Sequence, residues 1–197
     1  MSLEEVAKRI ELANYDTHEV GSLSREKLLD RVAWAAYYNH RVYGGCSRSV
    51  LKAIQDHLRL DDGGALKAST ALAGGVARMG QTCGAVTGSV LAIGLVLGRE
   101  ELEDRQAYSD TQEASNELCD RVKKELGSTV CSDILKKLCG RSFDFKKDEE
   151  IEEWYTAGGL EKCSMVSAIV ARIAADIIQK LKTIKQNISY QGTNDGK

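Results

Sequence analysis

Proline is absent from this chain, phenylalanine and tryptophan occur twice each, and histidine three times. The missing proline and the scarce aromatics count against an all-β sandwich and favour uninterrupted helices. Charge of one sign is lacking too. Lys and Arg number 27 against 29 Asp and Glu, a formal net charge of −2 over 197 residues. No basic stripe interleaved with aromatics occurs, so nothing points to nucleic acid as a partner. The start of the chain, from Met1 to Val6, has neither the basic nor the apolar region of a secretory signal, which predicts a cytoplasmic protein. With 43% hydrophobic and 28% charged residues the composition is that of a folded domain. A chain of this length buries roughly 70% of its unfolded surface and needs no disulfides to fold.

What is present reads as helix after helix, one all-α domain over residues 1–197 with an N-terminal appendage over 1–23. Ser2-Leu3-Glu4-Glu5 is a capping box for a short helix that ends before Gly21. Ser24 caps a longer one, with Leu28, Leu29, Val32, Trp34, Ala35 and Ala36 at helical spacing, which stops at Gly44-Gly45. A third runs from about Cys46 to Leu60, and Asp61-Asp62-Gly63-Gly64 is a turn. Residues 65–77 and 83–97 are predicted to form a Gly/Ala-rich helical hairpin around Gly80, buried at the centre of a compact bundle. Met79 to Gly98 carries no charge, a length that can span a bilayer. Its five glycines and the polar Gln81, Thr82, Thr87 and Ser89 make it a buried helix of a core instead, so no membrane is expected. Gly84 and Gly88, four apart, leave one helix face bare for another backbone, at about 1 kcal/mol of helix propensity each. Leu118, Val122 and Leu126 mark an amphipathic helix over 102–126, which Gly127 ends. Residues 131–138 form a short helix, 141–153 a polar surface excursion, 160–184 a long last helix, and 190–197 a frayed tail. The small-residue faces are compatible with a homodimer.

Six cysteines in a cytoplasmic chain point to metal binding or redox chemistry before structural disulfides. Four share a context. Cys46 follows Gly44-Gly45, Cys83 follows Gly80-Gln81-Thr82, Cys131 follows Gly127-Ser128-Thr129-Val130, and Cys163 follows Gly158-Gly159, each at the start of a predicted helix. Free N–H groups and the positive end of the helix dipole favour a thiolate there, which predicts depressed pKa values and metal ligands or nucleophiles. Cys119 lies in mid-helix and Cys139 at a helix C-terminus, where the dipole disfavours a thiolate. Both are read as packing or surface residues, with Cys139 a resolving thiol for Cys131 only if it folds back.

No C-x-x-C pair is present, which excludes the thioredoxin motif and a zinc ribbon, and no C-x-x-C-H motif attaches haem. The ferredoxin run is missing as well. Any site must be assembled in space from separate helices. His40 is close enough in sequence to Cys46 to act behind it, although an exposed helical histidine is the simpler reading. Gly74-Gly75 and Gly80 follow no strand and make a weak case for a phosphate loop.

The stretch from Gly74 to Gly88, GGVARMGQTCGAVTG, resembles the signature of a prokaryotic family named for its pattern, C_GCAxxG_C_C, and described as redox-active. Cys46, Cys131 and Cys163 resemble its first, third and last cysteines, and the match runs from about Leu28 to Leu181. The resemblance implies a small helical protein whose four cysteines do redox chemistry or hold a metal or iron–sulfur centre. Cys119 and Cys139 match no position of the pattern.

The leading expectation is therefore that Cys46, Cys83, Cys131 and Cys163 gather at one end of a bundle. They bind an iron–sulfur cluster or another thiophilic metal for electron transfer to a redox partner, or for redox sensing. Thr82, Thr87 and the backbone near Gly84 are expected to donate to the sulfurs. Two other classes stay open. One is a metal-free thiol–disulfide oxidoreductase with Cys83 as nucleophile and a second cysteine resolving it. The other is a structural helical protein with inert thiols.

Overall fold

Helix starts and stops follow the caps written in the chain. The computed structural model describes residues 23–60 and 62–192, with side chains through Thr183; the helix expected over residues 2–20, its capping box, His18 and residues 193–197 lie outside. Ser24 accepts from the Lys27 N–H and opens α1, Arg25–Tyr43. Gly44 and Gly45, at φ +67° and +72°, turn the chain so that α2, Cys46–Leu58, begins at a cysteine. The Asp62 carboxylate accepts from the Ala65 N–H at 2.8 Å and opens α3, Gly63–Ala68. Asp104 does the same for α5, Arg105–Leu126, through the Ala107 N–H. Between them lies α4, Gly84–Leu97. The remaining helices are α6, Cys131–Cys139, α7, Asp148–Thr156, and α8, Gly159–Gly192. Among the described residues there is no strand, only an isolated antiparallel bridge between Thr82 and Val130. The fold is all-α.

The last helix is the common packing partner. It touches α1, α2, α4, α5, α6 and α7. Val166, Ile169, Val170, Ile177 and Ile178 on it are buried, with Ala168, Ala171, Ala174 and Ala175 filling the rest of its circumference. Its flank is tied by charge: Asp176 pairs with Arg25, Arg121 and Lys180, and Arg172 with Glu26 and Asp30.

Two expected segments differ. The helix anticipated over 65–77 ends early: α3 gives way to a 3-10 turn, Ser69–Leu72, and then to five successive residues, Gly74 to Arg78, with φ between +50° and +72°. Gly74 and Gly75 enter the left-handed region without penalty, and the following residues are held there by long backbone bonds, Ala77 N–H to Ala71 O at 2.8 Å and Gly80 N–H to Gly74 O at 3.1 Å. The second arm, α4, is helical and largely buried as expected. It rises about 21 Å, short of a bilayer core of ~30 Å. No helix among the described residues is long and apolar enough to cross a membrane. The polar excursion over 141–153 contains most of α7, and both Phe143 and, just beyond that excursion, Trp154 are buried.

Candidate functional site

Each of the four helix-start cysteines is set by its own local device. Cys46 is the first residue of α2, Cys83 the N-cap of α4, Cys131 the first residue of α6, and Cys163 lies just past the first turn of α8. The starts of α4 and α6 are knitted together. Cys83 N–H donates to Thr129 O at 2.8 Å, Cys131 N–H to Gln81 O at 2.7 Å, and Ser132 N–H to Gly80 O at 3.1 Å, around the Thr82–Val130 bridge. Each cysteine's backbone N–H is thus bonded to the segment that carries the other.

Glycines bring the backbones close enough. A Cβ on Gly84 would strike the Cys46 sulfur, and one on Gly88 the carbonyl oxygen of Ser47, so α2 and α4 cross through the bare face of α4. Gly75 is buried beside Cys131, where a Cβ would lie 2.7 Å from the Cys131 Cβ and 2.6 Å from Gln81 N. The left-handed turn thus seats the Gly-Gly pair against the cysteines. The N–H groups of Gly74, Ser47 and Gly84 act on the sulfur of Cys46.

The thiols of Cys46, Cys83, Cys131 and Cys163 come within electrostatic range of one another. Burial pushes the Cys83 thiol well up, and the neighbouring charges of Cys46, Cys131 and Cys163 add to it against the Ala85 N–H. Burial, then Cys46, pushes Cys131 up to about 12. Cys163 is raised by burial, then by Cys46 and Cys131, with Cys139 adding a little. Cys46 is raised by burial despite its N–H donors. The depressed pKa values expected from the helix termini are therefore corrected: desolvation outweighs the dipoles, and the thiols are neutral at pH 7 in the metal-free chain. Among the described residues no three His, Cys, Asp or Glu side chains converge as ligands of one ion.

Other expectations are redrawn as well. The Thr87 hydroxyl donates to the Gly84 carbonyl at 3.1 Å, not to a sulfur, and Thr82 is exposed at the bridge. Cys119 is half-buried against the core, as read, and Lys123 and Asp120 are the charges that act on it. Cys139 is half-buried and acts on Cys163. His40 is not exposed but 5% accessible. Its Nδ1 lies 2.8 Å from Ser167 Oγ, it bonds the backbone of Cys163, and burial lowers it to about 4, so the ring is neutral. Tyr37 donates to Glu161 at 2.7 Å and Arg41 pairs with it at 3.1 Å. Positions 37, 40 and 41 of α1 thereby grip α8 on either side of Cys163.

One residue escaped the sequence reading altogether. Trp154 of α7 packs its indole against Gly159, one helical turn before Cys163. The signal available was a lone tryptophan five residues before a Gly-Cys helix start.

A family model described as "Putative redox-active protein (C_GCAxxG_C_C)" matches residues 45–177, a span that includes all four helix-start cysteines. No curated protein and no solved structure matches the chain.

Proposed function

The chain belongs to the C_GCAxxG_C_C family, described as redox-active, and from that premise we propose that Cys46, Cys83, Cys131 and Cys163 hold an iron–sulfur cluster used in electron transfer or redox sensing. The observation that carries this reading is how the chain brings its cysteine segments together: the Cys46 sulfur lies against Gly84 beside Cys83, and the Cys83 and Cys131 backbones are bonded to each other's segments. In the metal-free chain the groups that favour ionisation of Cys46 and Cys83 are neutral backbone N–H dipoles. A cationic centre reverses that balance, because thiolates bind it and lose their protons in doing so.

The donor set fits such a group. Four soft sulfurs sit in largely buried surroundings, with glycine backbone where any Cβ would intrude. A cluster does not ask its sulfurs to converge on one point, since they bind different irons; a single zinc does. When bound, the cluster would supply reversible one-electron storage. The chain's own residues do the rest. Gly74, Ser47 and Gly84 offer N–H groups to Cys46, the neutral His40 fixes the backbone at Cys163, and the buried α4 excludes water from one side. The raised thiol pKa values count against a metal-free oxidoreductase with Cys83 as a free nucleophile, which needs thiolate at neutral pH.

Anaerobic purification with iron, zinc and acid-labile sulfide measured per chain tests the reading. Iron with equimolar sulfide is expected, and Cys83→Ser should lose most of it while Cys119→Ser keeps it. Zinc alone, no metal, or full iron in Cys83→Ser overturns the cluster.

A further inference from the structure

We infer that the indole N–H of Trp154 is the hydrogen-bond donor to the sulfur of Cys163 in the loaded centre, and that it tunes the reduction potential. This inference rests on the iron–sulfur reading above. Trp154 is 8% exposed, yet its Nε1 meets no acceptor at hydrogen-bond geometry. A buried donor without a partner costs about 1–3 kcal/mol and calls for a reason.

The surroundings supply one. A Cβ on Gly159 would strike Nε1 and two further atoms of the ring, so α8 begins with a glycine where the indole lies across it. Cys163 follows four residues later on the same face of the helix, one turn along. The ring plane is held by Phe145, edge-on at 5.4 Å, and by Tyr155 at 4.8 Å.

A neutral thiol is a poor acceptor and a metal-bound thiolate a charged one, so the unpartnered N–H gains its partner on loading. One-electron reduction adds one negative charge to the centre and its sulfurs. No bond breaks, the indole keeps its proton, and the electron comes from an external one-electron donor. Because the donor stabilises the more negative state, its removal lowers the potential. Trp154 is a positioning and tuning residue, not a ligand.

The test compares wild type, Trp154→Phe, and protein with benzothienylalanine at position 154, an isostere that keeps the ring shape without the N–H. Trp34→Phe, which alters the ring stacked on Tyr38, is the control. Iron and sulfide are measured first, then the midpoint potential by anaerobic dithionite titration followed in the visible spectrum. Both changes at 154 are expected to keep iron and sulfide and to shift the reduction equilibrium about tenfold towards the oxidised form, about 59 mV for one electron. Trp34→Phe is expected to leave the potential unchanged. A wild-type potential in the isostere with full iron and sulfide overturns the inference alone, whether or not Trp154→Phe retains its cluster. Wild type without iron and sulfide overturns the iron–sulfur reading and this inference with it.

Discussion

At Gly88 a single methyl group decides whether two helices can cross. Its Cβ would strike Ser47 O and lie 3.0–3.1 Å from two more backbone atoms of the same residue, none of which can swing aside. Gly88→Ala is expected to destabilise the protein by about 1–3 kcal/mol or more, as overpacking does. Gly94, on the same helix, has nothing within 4 Å of its Cβ position. Gly94→Ala is expected to gain up to about 1 kcal/mol from helix propensity. Chemical denaturation of the two variants measures both; equal effects would show that the glycines serve propensity and not the crossing. The 84/88 pair was legible in the chain because spacing by four defines one face of a helix whatever it packs on. The burial of His40, expected to be exposed, was legible too. The residue continues the stripe Leu29, Val32, Ala36 at helical spacing, and that stripe is buried. Trp154 was not legible, since its meaning depends on Gly159 and Cys163 meeting it in space.

Among the elements, the turn from Gly74 to Arg78 is where local preference fails. Val76, Ala77 and Arg78 are ordinary right-handed residues, and a left-handed conformation costs each roughly 1–2 kcal/mol. Only the Gly-Gly pair announces the turn in the sequence; the bonds that enforce it reach forward to Gly80 and Gln81. Ala77 is exposed at φ +50°, so a glycine there loses no packing. Ala77→Gly is expected to raise stability by up to about 1 kcal/mol, read as a higher thermal midpoint. No gain would mean that the neighbouring residues already absorb the strain. The missed α7 has a related cause. Its residues 148–153 are almost all acidic, and a polar run reads as a loop unless the two aromatic residues that follow are given weight.

For the molecule as a whole, the thiols make a pH statement. In the unfolded chain they ionise at the ordinary value of 9.0, whereas in the folded, metal-free protein they remain protonated above it. The unfolded state then binds fewer protons, so the stability present below pH 9.0 is lost as pH rises through the raised folded values. The reduced, metal-free protein is expected to lose denaturant resistance as pH rises from about 9 towards about 12. Cys83→Ser should flatten that loss by removing one thiol, which separates it from tyrosine and lysine titration. An identical slope in the variant would mean that the Cys83 thiol is not held protonated by the fold. Helix class and helix order followed from caps and periodicity, but not which helix lies at the centre. The Gly/Ala-rich pair looked central because it lacks charge. The last helix takes that place instead, with alanines on the sides its branched residues leave free, and charge does not disqualify it because Arg172 and Asp176 pair at its edge.

That position of the last helix bears on timing. Three of the four thiols leave the ribosome before Cys163, and Cys163 reaches them only when the helix that carries it docks against α1, α2 and α4. The quartet is therefore completed after synthesis of the family-matched region has finished. Anything that needs all four sulfurs must be delivered after that helix has docked, and a nascent chain stalled before Gly159 presents the knitted pair Cys83 and Cys131 with no fourth sulfur to close the set.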